Sequence, residues 1–253
     1  LVTKNLFVEL NKIYFNKKIN LDPFSTIYTN GKLKADIIQS NSFNFNDLDF
    51  DLKVVNGSYQ IKSDQVRLFG ENAKGNAIMT ATPFTKIPSY SIIYNDVSFR
   101  AEKMLSAFME DQVISGPLKL SFNISSTGSE WDSIVSNMSG TINLSGENLL
   151  LNGFDADEII DDFKRSQNFN LVDLGAVLLA GPVGIAVTKG SDFARILVFN
   201  SGKSTQIEKL VSNWTINDGT FAIQDAAFTT NKNRVALTGS IGFSNNKLDL
   251  TIA

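Results

Sequence analysis

The sequence predicts a mainly β fold, in which a long, curved, meandering antiparallel sheet forms a groove and carries a few short capping helices. Three observations lead to this prediction. Apolar and polar residues alternate at a period of two in several segments, pairs of turn-forming residues separate these segments, and 19 phenylalanines suit half-buried strands better than exposed helices. We expect a single β-rich domain over residues 1–253, α+β in detail.

The strand pattern is clearest in residues 48–54, 118–124 and 235–252. In residues 48–54 every second position is Leu, Phe, Leu and then Val, with charged residues between them. Such alternation gives a strand one apolar and one polar face, which is typical of antiparallel sheets. Residue pairs that accept positive φ in tight hairpins separate the strands: Asn30-Gly31, Asn56-Gly57, Asn152-Gly153, Asp218-Gly219 and Asn245-Asn246.

Helical periodicity is limited to short stretches, which we expect to cap or bridge the sheet. They are residues 101–110, 130–138, 155–165, 171–187 and 204–212. Residues 55–61 and 216–223 share a hairpin pattern, and each is followed by a strand that begins near a glycine. Either they are copies of a repeated hairpin unit, or their shared turn chemistry produces the match by chance.

The composition argues against nucleic-acid binding and against most enzyme mechanisms. The formal net charge is −3, and Lys and Arg are scattered singly, so no basic stripe is available for a phosphate backbone. The chain has no Cys and no His, which removes thiolate and imidazole metal ligands and the commonest general base. We therefore predict a non-enzymatic protein with no catalytic residue, no metal ligand, no cofactor and no nucleic-acid partner.

The densest group of acidic residues lies in residues 155–162 and is followed by Lys164 and Arg165. Oxygen ligands at these spacings would suit Ca²⁺, but the glycine and the terminal glutamate of an EF-hand loop are missing. In the second interpretation, acids in the first turns and bases in the last complement the dipole of an amphipathic helix. We favour the helix.

The most apolar stretch, residues 174–187, is too short to span a bilayer, which needs about 20 residues, and a Gly-Pro pair interrupts it. One interpretation is a buried helix and loop that pack on the sheet. The other is a mobile plug over an apolar groove, or a segment that dips into a membrane interface. The plug residues would be Leu174, Leu178, Leu179, Gly181 and Pro182.

Several short segments resemble the C-terminal region of AsmA-like proteins. They are Met138 to Leu144, Leu151 to Asp155, Leu171 to Gly175, Leu178 to Gly184, Thr188 to Gly190, Ser204 to Leu210, Trp214 to Gly219 and Asn233 to Gly239. The resemblance covers residues 131–253 and extends more loosely back to residue 43. It suggests a subdivision into a β-sheet repeat unit, residues 1–128, and an AsmA-like C-terminal region, residues 129–253.

The resemblance implies a protein of the Gram-negative cell envelope, related to larger bridge-like proteins thought to move phospholipid between the two membranes along a β-lined groove. It implies a place at the periplasmic face, anchored in the inner or outer membrane through a segment absent from this chain. The chain would then be a fragment of a larger one. It departs from the family in lacking an amino-terminal membrane helix and in being too short to bridge two membranes.

An apolar β-groove would take phospholipid or another acyl-chain lipid, because each buried methylene contributes about 0.8 kcal/mol without any specific contact. The residues that we expect to contact lipid are Leu118, Leu120, Phe122, Ile142, Leu144, Val235, Leu237, Ile241 and Phe243. Each has the alternative of being an ordinary core residue, since alternating apolar positions usually pack inward.

The function that we expect is therefore a lipid-handling module that contributes to intermembrane lipid transport or outer-membrane biogenesis. The alternative is a structural or assembly protein that binds an outer-membrane protein through its sheet edge. No sequence feature identifies a protein partner.

Overall fold

The computed structural model describes residues 6–14, 29–39, 44–64, 75–102, 114–153, 155–158, 160–161, 203–243 and 247–252. The predicted plug and the Asn245-Asn246 turn lie outside the described residues.

Within these ranges, thirteen strands and a helix with defined bounds are present. The strands are β1 (Leu6–Tyr14), β2 (Thr29–Gln39), β3 (Asn44–Val55), β4 (Ser58–Ser63), β5 (Asn76–Ala81), β6 (Ser89–Arg100), β7 (Ile114–Ser115), β8 (Pro117–Thr127), β9 (Ser139–Asn152), β10 (Ser204–Asn217), β11 (Thr220–Thr229), β12 (Arg234–Gly242) and β13 (Lys247–Ile252). The helix, α1, is Trp131–Ser136. Residues 101–102, 156–158, 160 and 161 are also helical.

The strands form one sheet whose order follows the chain from β1 to β6 and from β8 to β13, while the short β7 pairs with β9. Strands β2 to β6 pair antiparallel in sequence order, as do β11 to β13. Strand β1 pairs with β2 in parallel, which the sequence did not predict. The predicted fold class, a mainly β chain with a long meandering antiparallel sheet and few short helices, is confirmed.

Two of the predicted turns are tight hairpins with positive φ at both central residues. Asn56 and Gly57 have φ of 50° and 72°, and Asp218 and Gly219 have φ of 49° and 71°. The prediction of a turn at Asn30-Gly31 is wrong, because both residues lie inside β2. Gly31 pairs with a residue of β1 and with a residue of β3, so pairing on both sides overrides the local turn preference.

The prediction of a helix over residues 204–212 is also wrong, because these residues belong to β10. Thr205 and Ile207 are buried, and the next buried position, Leu210, comes three residues later. Beyond it, every second residue is buried up to Ile216. The single step of three mimics the spacing of an amphipathic helix, which explains the error. The helix predicted in residues 130–138 is confirmed as α1.

The chain divides into two compact units that are each discontinuous in sequence. Unit 1 comprises Leu1–Phe99, Leu120–Thr141 and Asn217–Gly219, and unit 2 comprises Arg100–Lys119, Ile142–Ile216 and Thr220–Ala253. The subdivision at residues 128 and 129 stays a prediction.

The described residues of unit 2 include a buried apolar core. Leu149, Ile207 and Phe228 are completely buried, and Trp214 is 2% exposed. The indole Nε1 of Trp214 donates a hydrogen bond of 2.7 Å to the hydroxyl of Ser212, so the polar atom of this large side chain is satisfied inside the core. Large apolar side chains of β9, β10, β11 and β12 are thus buried rather than exposed on an open surface.

Candidate functional site

Unit 1 contains an apolar sheet face that is formed by alternate residues of β3, β4, β5 and β6. Residues that pair directly across strands point to the same side of a sheet. The strand register therefore places one set of side chains together, which we call the apolar face: Leu52, Val54, Tyr59, Ile61, Ala77, Met79, Ala81, Tyr90, Ile92 and Tyr94.

The opposite side of the same strands is mostly polar. Lys53 pairs with Gln60, and Gln60 pairs with Thr80. At the far end of β5 the side-chain amide of Asn95 donates to Asn76 over 3.3 Å. The apolar exceptions on this side are an isoleucine pair across β5 and β6 and Val55 at the end of β3. These strands are therefore amphipathic, with their apolar side chains concentrated on one face.

The apolar face is only partly covered. Val54 and Tyr94 are each 2% exposed, but Met79, in the middle of the face, is 43% exposed. The remaining members of the face are half-buried. Exposed apolar surface costs about 25 cal/mol per Å² relative to an apolar environment, so this face is stabilised by any apolar molecule that covers it.

A cleft of about 200 Å³ lies on this face, between β5, β6, β8 and α1. Its apolar lining comes from Met79, Ala81, Tyr90, Ile92, Ile124, Ile134 and Met138. The hydroxyl of Ser126, which also lines the cleft, donates to the backbone oxygen of Ile134. An apolar cavity of about 150 Å³ is enough to bind benzene, so this cleft has the size of an acyl-chain segment rather than of a whole lipid.

Close backbone contacts hold α1 at the end of the cleft. The amide of Gly219 donates to the backbone oxygen of Met138 over 3.0 Å. A Cβ atom at Gly219 would lie 2.5 Å from the backbone oxygen of Val135, so only glycine permits this approach. At the start of the helix, the hydroxyl of Ser133 accepts from the amide of Glu130 over 3.3 Å. The hairpin between β10 and β11 thus anchors one wall of the cleft.

The nine residues predicted to contact lipid occupy different environments. Six of them are buried: Leu118, Leu120, Leu144, Val235, Leu237 and Ile241. The other three, Phe122, Ile142 and Phe243, are half-buried. Phe122 stacks on Tyr94 of the apolar face with ring centroids 5.1 Å apart, and Phe243 packs on Phe221 at 4.6 Å in unit 2. Their contact with lipid stays a prediction.

Most residues of the apolar face are not among those predicted from the sequence to contact lipid. Tyr90, Ile92 and Tyr94 alternate in β6, and Tyr59 and Ile61 alternate in β4, so the period of two was present. Strand β5 hid the pattern, because its contribution to the face is Ala, Met and Ala rather than large branched residues. Half-exposure of these positions follows from packing, which periodicity alone does not report.

Asp155 and Asp157 of the segment 155–161 accept structural hydrogen bonds in unit 2. The buried Asp157 accepts from the hydroxyl of Thr230 over 2.6 Å and from the side-chain amide of Asn233 over 2.8 Å. Asp155 accepts from the amide of Glu158 over 3.0 Å, as a helix N-cap does. That hydrogen bond, together with the nearby Lys203, lowers the pKa of Asp155. Among the described residues, no group of three or more His, Cys, Asp or Glu side chains could hold a metal ion.

No family model, curated protein or solved structure matches this chain. In the part of the chain that the structure describes, no helix combines the length and the apolar character needed to cross a membrane.

Proposed function

We propose that this chain is a non-enzymatic lipid-handling module that binds acyl chains on the apolar face of unit 1. The observation that carries the proposal is the contrast between the two sides of β3 to β6. One side is polar and the other is apolar and half-exposed, with a cleft of acyl-segment size at one end. A phospholipid tail meets both requirements of such a surface, since it is apolar and needs no directional partner.

The resemblance of the sequence to AsmA-like proteins supports the same class of ligand and adds a location. On that basis we propose that the parent protein works at the periplasmic face of the Gram-negative envelope, anchored in the inner or outer membrane, in phospholipid transport or outer-membrane biogenesis. The apolar face supplies the surface on which such a protein would carry acyl chains.

Lipid extraction from the gently purified chain, followed by mass spectrometry, tests the proposal. The informative variant is Met79→Glu, which places a charge in the middle of the apolar face on a side chain that is already 43% exposed. The matched control is Gln60→Glu, which adds the same charge on the opposite side of the neighbouring strand, across from Lys53. Both variants should fold, because neither position is buried.

The wild-type chain and Gln60→Glu should carry phospholipid. Met79→Glu should bind a fatty-acid probe at least about tenfold more weakly, since the charge of the new carboxylate would have to be desolvated beneath the bound acyl chain. The proposal fails if no lipid is recovered and the fatty-acid probe binds neither the wild-type chain nor Gln60→Glu. It also fails if the two variants bind the probe equally well.

The second candidate function is assembly of an outer-membrane protein through a sheet edge. It is favoured by the sheet order, in which β1 and β13 each have one strand neighbour among the described residues. An edge strand offers unpaired backbone groups to an added strand. Pull-down of a stable protein partner by lipid-free chain would support this function, and a monomer loaded with phospholipid would contradict it.

A further inference from the structure

Large apolar side chains are exposed at one end of the unit 1 strands, where loops connect one strand to the next. Val55 is 41% exposed at the hairpin between β3 and β4, Ile87 is 67% exposed in the turn between β5 and β6, and Trp131 is 73% exposed at the start of α1. The register places the β3–β4 hairpin and the β5–β6 turn at the same end of the strands, because Tyr59 pairs with Ala81 and Ala81 with Tyr90. Val55 lies on the polar side of the sheet, since it pairs with Ser58 next to the pair of Val54 and Tyr59, so we call only Ile87 and Trp131 the apolar edge.

Direct contacts connect the parts of this edge. The ring of Phe84 in the β5–β6 turn packs on Tyr59 at the start of β4, with centroids 6.0 Å apart. In the same turn, the backbone oxygen of Pro88 accepts from the amide of Gly128, three residues before Trp131, over 2.9 Å. The connections that carry Ile87 and Trp131 are therefore joined by a direct hydrogen bond.

The β5–β6 turn is held in shape by its own hydrogen bonds. The hydroxyls of Thr82 and Ser89 lie 2.6 Å apart across its base, and the amide of Thr82 donates to the backbone oxygen of Ser89 over 2.9 Å. The hydroxyl of Thr85 donates to the backbone oxygen of Ile87 over 2.7 Å. Because the turn is already ordered, Ile87 loses little further conformational freedom when an apolar phase covers it.

The charges around the apolar edge identify the kind of surface that it fits. Among the described residues, the exposed charged residues adjacent to these two side chains are Lys86 in the turn and Glu130 and Asp132 beside Trp131. Two carboxylates outnumber one cation, so anionic headgroups are not attracted. A tryptophan with an apolar body and one N–H donor is the side chain typical of the boundary between acyl chains and headgroups.

We infer that the apolar edge docks unit 1 on the interface of a zwitterionic phospholipid bilayer and brings the mouth of the cleft to the acyl chains. This inference rests on the proposed function, acyl-chain binding on the apolar face. The cleft lies near the apolar edge, because its lining residues Tyr90 and Ile134 are each three residues from Ile87 and Trp131 respectively. A segment of a lipid acyl chain then leaves the bilayer at the apolar edge and enters the cleft without crossing open water.

Tryptophan fluorescence provides a direct test, because the chain has 2 Trp, one at the edge and one in the core of unit 2. On phosphatidylcholine vesicles the emission of Trp131 should shift to the blue and be quenched by brominated acyl chains. Trp214, which is 2% exposed, should not respond. The variant Trp131→Phe reports Trp214 alone and should show no vesicle-dependent change.

Vesicle flotation of the full chain distinguishes membrane docking at the apolar edge from acyl-chain binding on the apolar face. The double variant Ile87→Ser/Trp131→Ser should bind phosphatidylcholine vesicles about tenfold more weakly, while its affinity for a dissolved fatty acid stays within about twofold of wild type. Met79→Glu should bind vesicles within about twofold of wild type, while its affinity for the dissolved fatty acid falls about tenfold. The control is Leu150→Ser, which removes a 36% exposed leucine of unit 2 and should change neither readout.

Absence of vesicle binding by the wild-type chain, or full binding by the double variant, would overturn docking at this edge while leaving the proposed acyl-chain binding intact. Vesicles that contain phosphatidylglycerol should bind no more tightly than phosphatidylcholine alone. A strong preference for the anionic vesicles would also contradict the inference, since it would place the contact on a basic surface elsewhere.

Discussion

The rings of Tyr94 and Phe122 stack with centroids 5.1 Å apart and an interplanar angle of 21°, which joins β6 to β8 on the apolar face of unit 1. Offset-stacked aromatic pairs contribute about 0.5–1.5 kcal/mol beyond the area that they bury. Tyr94 is 2% exposed, whereas the centre of the face around Met79 remains open. The stacked pair thus covers one part of a face whose other part is exposed.

Replacement of Phe122 by alanine should lower the free energy of unfolding by about 2 kcal/mol, less than the range for a fully buried phenylalanine because this ring is half-buried. Denaturant unfolding followed by circular dichroism measures the change. Asn123→Ala, at the exposed position next to it, is the control and should stay within about 0.5 kcal/mol of wild type. Equal effects of the two substitutions would contradict the stacking role.

Gly219→Ala should both destabilise the chain and loosen the cleft wall. The residue has φ of 71°, and its new Cβ would lie 2.5 Å from the backbone oxygen of Val135. We expect a loss of about 1–3 kcal/mol and weaker fatty-acid binding, because α1 must move away from the hairpin. Thermal unfolding and the probe titration measure the two effects. Thr220→Ala, the next residue, should leave binding unchanged, and a cleft that is insensitive to Gly219→Ala would show that α1 does not form its wall.

Removal of the Asp157 carboxylate should be costly because it deletes two buried hydrogen bonds, from the hydroxyl of Thr230 and the side-chain amide of Asn233. Asp157→Ala should lower the free energy of unfolding by about 2–3 kcal/mol. The control is Asp225→Ala, which removes an exposed ion pair to Arg234 at 3.9 Å and should cost under about 0.5 kcal/mol. A Ca²⁺-dependent rise in melting temperature that Asp157→Ala abolishes would instead favour the calcium interpretation of this segment.

The pKa of Asp155 gives a pH-dependent prediction. The amide of Glu158 and the ammonium group of Lys203 hold this pKa below its usual 3.8 in the folded chain, so ionisation of Asp155 favours the folded state. That contribution is fully present above the unfolded pKa and is lost as the pH falls through the folded pKa. Asp155→Asn should therefore be less stable than wild type at neutral pH, and the difference should shrink as the pH falls below 3.8 in urea titrations. A difference that persists undiminished in strong acid would contradict this assignment.

The fold class was predictable because its signals are local. Alternation in β3 and β8, and the Asn56-Gly57 and Asp218-Gly219 pairs, act over a few residues and are confirmed as strands and hairpins. The wrong predictions lie where residues that are distant in sequence determine the local structure. Gly31 is held in β2 by strands on both sides, and β10 changes the parity of its buried side chains near Ile207.

The candidate site was less predictable, because the choice between an open face and a filled core depends on what packs across the sheet. Leu237 and Ile241 alternate as a groove would, yet each is 1% exposed. Tyr90 and Ile92 of β6 alternate in the same way and remain half-buried. Both pairs satisfy the same rule of period two, so only the three-dimensional structure separates them.

Photo-crosslinking with a fatty acid that carries a diazirine at the end of its chain tests acyl-chain binding at the apolar face most directly. After irradiation, peptide mass spectrometry should locate adducts in residues 59–61, 77–81 and 90–94 of unit 1, and Met79→Glu should abolish them while Gln60→Glu should not. Adducts confined to the region of Val235, Leu237 and Ile241, or no specific adducts at all, would contradict acyl-chain binding by the apolar face.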